Sequence, residues 1–259
     1  MSVQGDKTKL GLILSGQPLP IESANIFITQ PKIKDIVLFG ENDFLSAVQM
    51  LAKMEYFTDM VKKGNLDLEI ISDFQLLMMM INQDETVKSL ILNLFTLIFP
   101  DYLVSVEENS IDFSIEQEEE GTAKIVGRIH PFNFKDFQII LNDAFLPHID
   151  NEREPDYNPA NDAAQKIADK IKAGREKVHA MQAESDGPRS IFCDQCSTLA
   201  VGLQMDINIF FNYTPFQLYD VYKRYFEKVK SDFYMRVSTM PLMDTSKMEE
   251  PLEWHRSLY

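Results

Sequence analysis

Residues 214–234 read TPFQLYDVYKRYFEKVKSDFY, and this stretch sets the character of the C-terminal part of the chain. Thr214 followed three residues later by Gln217 is a capping-box pair, and Pro215 occupies the first helical position, where a missing N–H is without cost. Phe216, Tyr219, Tyr222, Tyr225, Phe226, Val229 and Phe233 then recur at helical intervals. One broad side of a helix running to Tyr234 is therefore apolar and is expected to be buried. Upstream, Ile191 to Gln204 reads as a short apolar helix, joined to the aromatic one by Asp206 to Asn212. Downstream, Pro241, Pro251 and scattered charges imply an extended tail, with Trp254, Leu258 and Tyr259 as anchors onto a groove.

Further upstream, His148 to Asp162 is rich in proline, charge and asparagine and is read as a linker. The following stretch, Ala160 to Ala183, carries charges of both signs and few large apolar residues, the pattern of a solvated helix supported by charge pairs. A division into a mixed domain, 1–150, and a helical domain with a tail, 151–259, follows. In the first part, Lys9 to Leu14 and Ala24 to Thr29 are β-type runs separated by Gly16, Pro18 and Pro20, which predicts an antiparallel hairpin. Ile33 to Leu38 is a helical turn ended by Gly40, and a helix then runs from Glu41 or Asn42 to about Tyr56.

Two helices follow, one capped by Ser72 and the other by Asp84, the second stopped by Pro100. Leu76, Leu77, Met78, Met79, Met80 and Ile81 leave the first of them almost no polar face, so it is expected to be enclosed by neighbours. Tyr102 to Val106, Ile111 to Ile115 and Ala123 to Ile129 alternate apolar and polar residues and form a three-stranded meander. The acidic run Glu118 to Glu120 is a turn at its tip. Phe134 to Phe145 is an amphipathic helix closed by Pro147. The fold class is α+β: small antiparallel β elements with helices to about residue 150, and mostly helix beyond.

The chain has 259 residues, 45% of them apolar, enough for a sizeable core, and a net charge of −15 from 40 acidic and 25 basic side chains. This charge balance argues against nucleic acid as a partner, because that affinity rests on lysine and arginine displacing counterions. Acidity serves solubility through self-repulsion, with mimicry of DNA as the rarer use. The apolar run Val87 to Phe99 is well short of the roughly 20 residues of a membrane span. Met1 to Lys9 lacks the apolar core of a signal peptide, which points to the cytoplasm. Two cysteines, Cys193 and Cys196, fit a reducing compartment.

Those cysteines form one CxxC without a second pair, and a structural zinc site needs four ligands. His130, His148, His179 and His255 are scattered, and no phosphate loop, dinucleotide fingerprint or hydrolase elbow occurs. No catalytic, cofactor or metal residues are expected. The excess of aromatic and methionine side chains on helices points to packing and to binding of other polypeptides.

Asp206 to Asn212, then Tyr213-Thr214-Pro215-Phe216-Gln217-Leu218-Tyr219-Asp220-Val221-Tyr222-Lys223-Arg224, and the closing Trp254 to Tyr259 resemble proteins from the tail-gene clusters of long-tailed phages of Gram-positive hosts. Leu10 to Phe44, with Gly16-x-Pro18-Leu19-x-Ile21 and Gln30-Pro31-Lys32-Ile33-Lys34-Asp35-Ile36, is similar to the same group. The resemblance implies a tail assembly chaperone, which keeps the tape-measure protein soluble in the host cytoplasm while tail-tube subunits polymerise around it. Tape-measure and tube proteins are then the partners, with self-association as a further option. No active site transfers with the resemblance. On this reading Phe216, Tyr219, Tyr222, Tyr225, Phe226, Trp254 and Tyr259 are the candidate partner-binding residues. The alternatives are a structural component of the virion tail or neck, and an acidic inhibitor of a host protein.

Overall fold

A computed structural model describes residues 3–52, 72–116, 123–146 and 190–239. The chain enters as helix α1 (Val3–Ser15), followed by strands β1 (Leu19–Ile21) and β2 (Ile26–Ile28). Residues 9–14, expected as a strand, are therefore the last turns of a helix. The alternation of Leu10, Leu12 and Leu14 imitates a strand period. Burial instead falls on Ile13, while Leu14 stays exposed. Gly16, read as hairpin punctuation, is the helix stop: its φ is +68°, with Gln17 N–H donating to Leu12 O at 3.1 Å and Gly16 N–H to Ile13 O at 3.2 Å. That pair of bonds is a Schellman motif, which glycine enters without strain.

The hairpin partner of β2 is β1, in the register Leu19 to Ile28 and Ile21 to Ile26. These four side chains are buried, while Phe27 faces outward. Helices α2 (Ile33–Phe39) and α3 (Glu41–Ala52) follow, hinged at Gly40, whose φ of +106° explains the glycine. The expected continuation of α3 to Tyr56 lies outside the described residues.

Helices α4 (Asp73–Gln83) and α5 (Glu85–Ile98) start where their caps predict. Ser72 Oγ accepts from Gln75 N–H at 3.3 Å, Gln75 Oε1 accepts from Ser72 N–H at 3.0 Å, and Asp84 Oδ1 accepts from Thr86 N–H at 2.8 Å. Leu76, Leu77, Met78, Met80 and Ile81 are buried, so α4 is enclosed as its composition implies. Strands β3 (Leu103–Val106), β4 (Ile111–Glu116) and β5 (Ala123–Ile129) form an antiparallel meander with a bulge between Phe113 and Ser114. The acidic hairpin tip lies outside the described residues. Helix α6 (Phe134–Phe145) closes this part, and Phe95, Phe99, Phe113 and Phe137 meet in a ring cluster with Phe99 and Phe113 4.6 Å apart. Such pairs contribute about 0.5–1.5 kcal/mol each beyond the area they bury.

The two sheets are locked together at Gly127. A Cβ there would sit 2.3 Å from Ile26 Cγ2 and 2.4 Å from Ala24 O. Asn25, left-handed at φ 55°, donates from Nδ2 to Val126 O at 2.7 Å, and Asn133 Nδ2 donates to Ser23 O and Arg128 O, both at 2.9 Å. Two carbonyls of β5, Val126 O and Arg128 O, are thus occupied by side-chain amides, which blunts this part of the strand against pairing with another.

Helices α7 (Ile191–Leu203), α8 (Ile207–Phe211) and α9 (Pro215–Ser238) complete the described chain. Phe192, Cys196, Leu199, Phe210, Phe216 and Leu218 join the same apolar core as the residues before 147. Polar ties reinforce it: Ile33 N–H donates to Tyr213 O at 2.9 Å, and Glu41 accepts from Ser190 Oγ, from Ile191 N–H at 2.6 Å and from Phe192 N–H at 3.3 Å. Glu41 is a carboxylate at the N-terminus of α7, where the helix dipole favours it. The expected linker 148–162 and charged helix 160–183 lie outside the described residues. The architecture is α+β, with helices and two small antiparallel sheets before residue 147 and helices alone in 190–239.

Candidate functional site

The start of α9 is built as its sequence predicts and also carries a tertiary contact. Thr214 N–H donates to Gln217 Oε1 at 2.9 Å, and Thr214 Oγ1 accepts from Gln217 N–H at 3.4 Å. Gln217 Nε2 then reaches Leu14 O at 2.7 Å, satisfying a carbonyl at the C-terminus of α1. One residue thus caps α9 and fixes where it docks.

Burial along α9 departs from the expectation. Phe216 and Leu218 are sealed into the core, and Tyr219, Tyr222 and Tyr225 are half-buried. Phe226, Val229 and Phe233 are exposed at 39%, 45% and 58%. Over 24 residues the helix is about 36 Å long, and its contacts with α1 and α7 through Gln217 and Tyr225 lie in its first half. Beyond that region the apolar side stays exposed at Phe226, Val229 and Phe233, whereas Glu227 and Val237 are buried. Of the proposed partner-binding residues, Phe216 is a core residue and is closed to any partner. Tyr222 and Tyr225 flank Phe226, at ring distances of 4.7 and 5.6 Å. Lys223 Nζ lies over the Tyr219 ring at 5.8 Å. Trp254 and Tyr259 lie outside the described residues.

A second group of exposed apolar side chains, on α7 and α8, was not singled out from sequence. Val201 is 78% exposed, and Leu203, Met205, Ile207 and Ile209 are exposed as well. The signal was present: no charged residue stands between Asp194 and Asp206 in a chain that is 25% charged. The run reads only as a short apolar helix. Gln204, at φ 55°, turns the chain out of α7, and Asp206 caps α8 by accepting from Asn208 N–H at 2.9 Å. Helices α7 and α9 touch at Gly202, where a Cβ would lie 2.2 Å from Tyr225 Oη. Val201 and Leu203 flank Gly202 in α7, and Phe226 follows Tyr225 in α9, so exposed apolar side chains stand next in sequence to this contact on both helices.

The buried carboxylates Asp220 and Glu227 on α9 are each paired with a basic residue of the same helix. Arg224 Nε donates to both Asp220 oxygens at 3.0 Å, and Lys230 Nζ to Glu227 Oε1 at 2.6 Å. Cys196 is wholly buried, and burial pushes its thiol up to about 12, so it remains protonated and packs as a small apolar residue. Among the described residues no three His, Cys, Asp or Glu side chains gather as a metal set. A depression of about 560 Å³ lies between β5 and the turn before β2, lined by Ser23, Asn25, Ile125, Val126, Arg128 and His130. Its guanidinium is already committed: Arg128 grips Asp112 through two 2.7 Å bonds. That fork holds the Asp112 carboxyl below the usual carboxylate range, against the opposing effect of burial.

Compared with protein-family models, with curated proteins and with solved structures, the chain gives no match. Among the described residues no helix is long and apolar enough to cross a membrane.

Proposed function

We propose that this protein is a polypeptide-binding protein of the phage tail assembly chaperone kind, holding apolar segments of tape-measure or tail-tube proteins in the host cytoplasm. The observation that carries this reading is the set of exposed apolar side chains on α7, α8 and α9, with Val201 and Phe233 more than half exposed. Single exposed apolar residues are ordinary, whereas a run of them along one helix face, as Phe226, Val229 and Phe233 form on α9, marks an interaction surface. The net charge of −15 keeps such a molecule soluble by self-repulsion while it displays that surface. The likeness of residues 10–44 and 206–224 to tail-gene-cluster proteins supplies the class of client.

The test is co-purification of the full chain from infected cells, scored by mass spectrometry for tape-measure and tube proteins, alongside analysis of mature virions. A chaperone is recovered with the tape-measure protein and is missing from virions. Presence in virions favours a structural tail or neck component, and recovery with neither removes any tail role.

A further inference from the structure

The charge around the exposed part of α9 narrows the partner, on the assumption that this face binds polypeptides. At about 100° per residue, Tyr222, Phe226, Val229 and Phe233 share an arc of roughly 60°. The nearest charged side chain on one flank is Lys230 and on the other Arg236. Asp220 and Glu227 are turned further away, and Asp232 stands behind Arg236. The Lys230 side chain is 64% exposed and gives one of its three N–H donors to Glu227. Over the whole helix five basic residues stand against three acidic, a surplus of two in a chain whose net charge is −15. The exposed apolar strip is therefore bordered by cations on a molecule that is otherwise strongly anionic.

We infer that this strip receives an amphipathic helix of another polypeptide, one whose apolar stripe is bordered by aspartate or glutamate. Helix-in-groove recognition reads the apolar anchors at spacings of three and four, and the charges beside them select the partner and its orientation. A second copy of α9 is a poor occupant, because pairing two such strips brings cationic borders together. A helix with acidic borders places carboxylates opposite Lys230 and Arg236 while covering Phe226, Val229 and Phe233.

The experiment uses the full chain and two synthetic helical peptides with the same leucine stripe, one bordered by glutamate and one by lysine, followed by fluorescence anisotropy. The glutamate peptide binds about 10-fold or more tightly at low salt, and the difference shrinks as salt screens it. The double variant Lys230→Glu/Arg236→Glu reverses the preference. Phe226→Ser/Phe233→Ser abolishes binding of both, with circular dichroism confirming that both variants stay folded. Equal binding of the two peptides at low salt, binding of neither, or a preference that survives the charge reversal overturns the inference. Self-association in sedimentation that Phe233→Ser removes also overturns it, in favour of a second copy as occupant. If the serine variant loses tape-measure protein but the charge reversal does not, the acidic-partner inference fails and the polypeptide-binding function stands. If the serine variant retains its client, this face is not the binding site.

Discussion

The same substitution, glycine to alanine, has opposite expected effects at two positions, and the difference tests whether the two sheets touch as described. At Gly127 the added methyl meets Ile26 Cγ2 at 2.3 Å and the Ala24 carbonyl at 2.4 Å. One of these is backbone and cannot rotate aside, so the hairpin and the meander must separate locally. Asn25 and Asn133, which bridge the same junction through Val126 O, Ser23 O and Arg128 O, are strained with it. Overpacking of this kind costs roughly 3 kcal/mol. At Gly11, inside α1 and exposed, a Cβ meets nothing within 4 Å. There alanine stabilises by about 0.5–1 kcal/mol through reduced backbone entropy in the unfolded chain. Urea unfolding of the full chain reads both as shifts in midpoint at constant slope. In a thermal melt Gly127→Ala lowers Tm by roughly 6–12 °C and Gly11→Ala raises it by about 2 °C. A Gly127→Ala protein within about 0.5 kcal/mol of the parent would refute the close approach of β5 to the turn before β2.

Glu41→Gln keeps the size of the side chain but removes the charge that Ser190, Ile191 and Phe192 donate to. It should cost about 1 kcal/mol and increase hydrogen exchange in the first turn of α7; unchanged exchange there contradicts the tie. Gln217→Ala removes both the cap of α9 and the bond to Leu14 O, an expected loss of about 1–2 kcal/mol in denaturant unfolding. Asp112, buried and bound by Arg128 and Ser110, has its folded pKa lowered. Its contribution is full above the unfolded value and disappears as pH falls through the folded one. Asp112→Asn should therefore cost about 2 kcal/mol at neutral pH and flatten the acid limb of the stability curve; an identical acid limb argues against the pairing. Phe233→Ser, at a 58% exposed position, should leave unfolding within about 0.5 kcal/mol of the parent while weakening capture of the client. A large loss of stability would mean that the ring is structural.

Caps and turns were the part of this fold most legible in sequence, because they depend on bonds spanning three or four residues. Ser72 with Gln75, Asp84 ahead of Thr86, Thr214 with Gln217, and Gly40 each behave as their local chemistry requires. The meander and α6 were legible as well, since strand alternation and helical spacing there are unmixed. Lys9 to Leu14 misled because four apolar residues in five satisfy both periods, and only what packs against them chooses between helix and strand. The candidate face was half legible: the aromatic spacing of α9 identifies a broad apolar side, but spacing holds no information on how far the neighbouring helices extend along it.

From its amino acids alone this chain declares an acidic α+β protein, the starts of most of its described helices, and a surplus of ring-bearing side chains without a catalytic set. Tertiary structure decides the rest. It assigns Phe216 to the core and Phe233 to solvent although both lie on helix α9, because burial is settled by residues distant in sequence, Leu14 and Gly202 among them. It likewise divides the uncharged run before Asp206, sealing Cys196 and Leu199 into the core and leaving Val201, Leu203 and Met205 at the surface, since hydrophobicity sets the free energy of covering a side chain but not whether the chain has anything there to cover it.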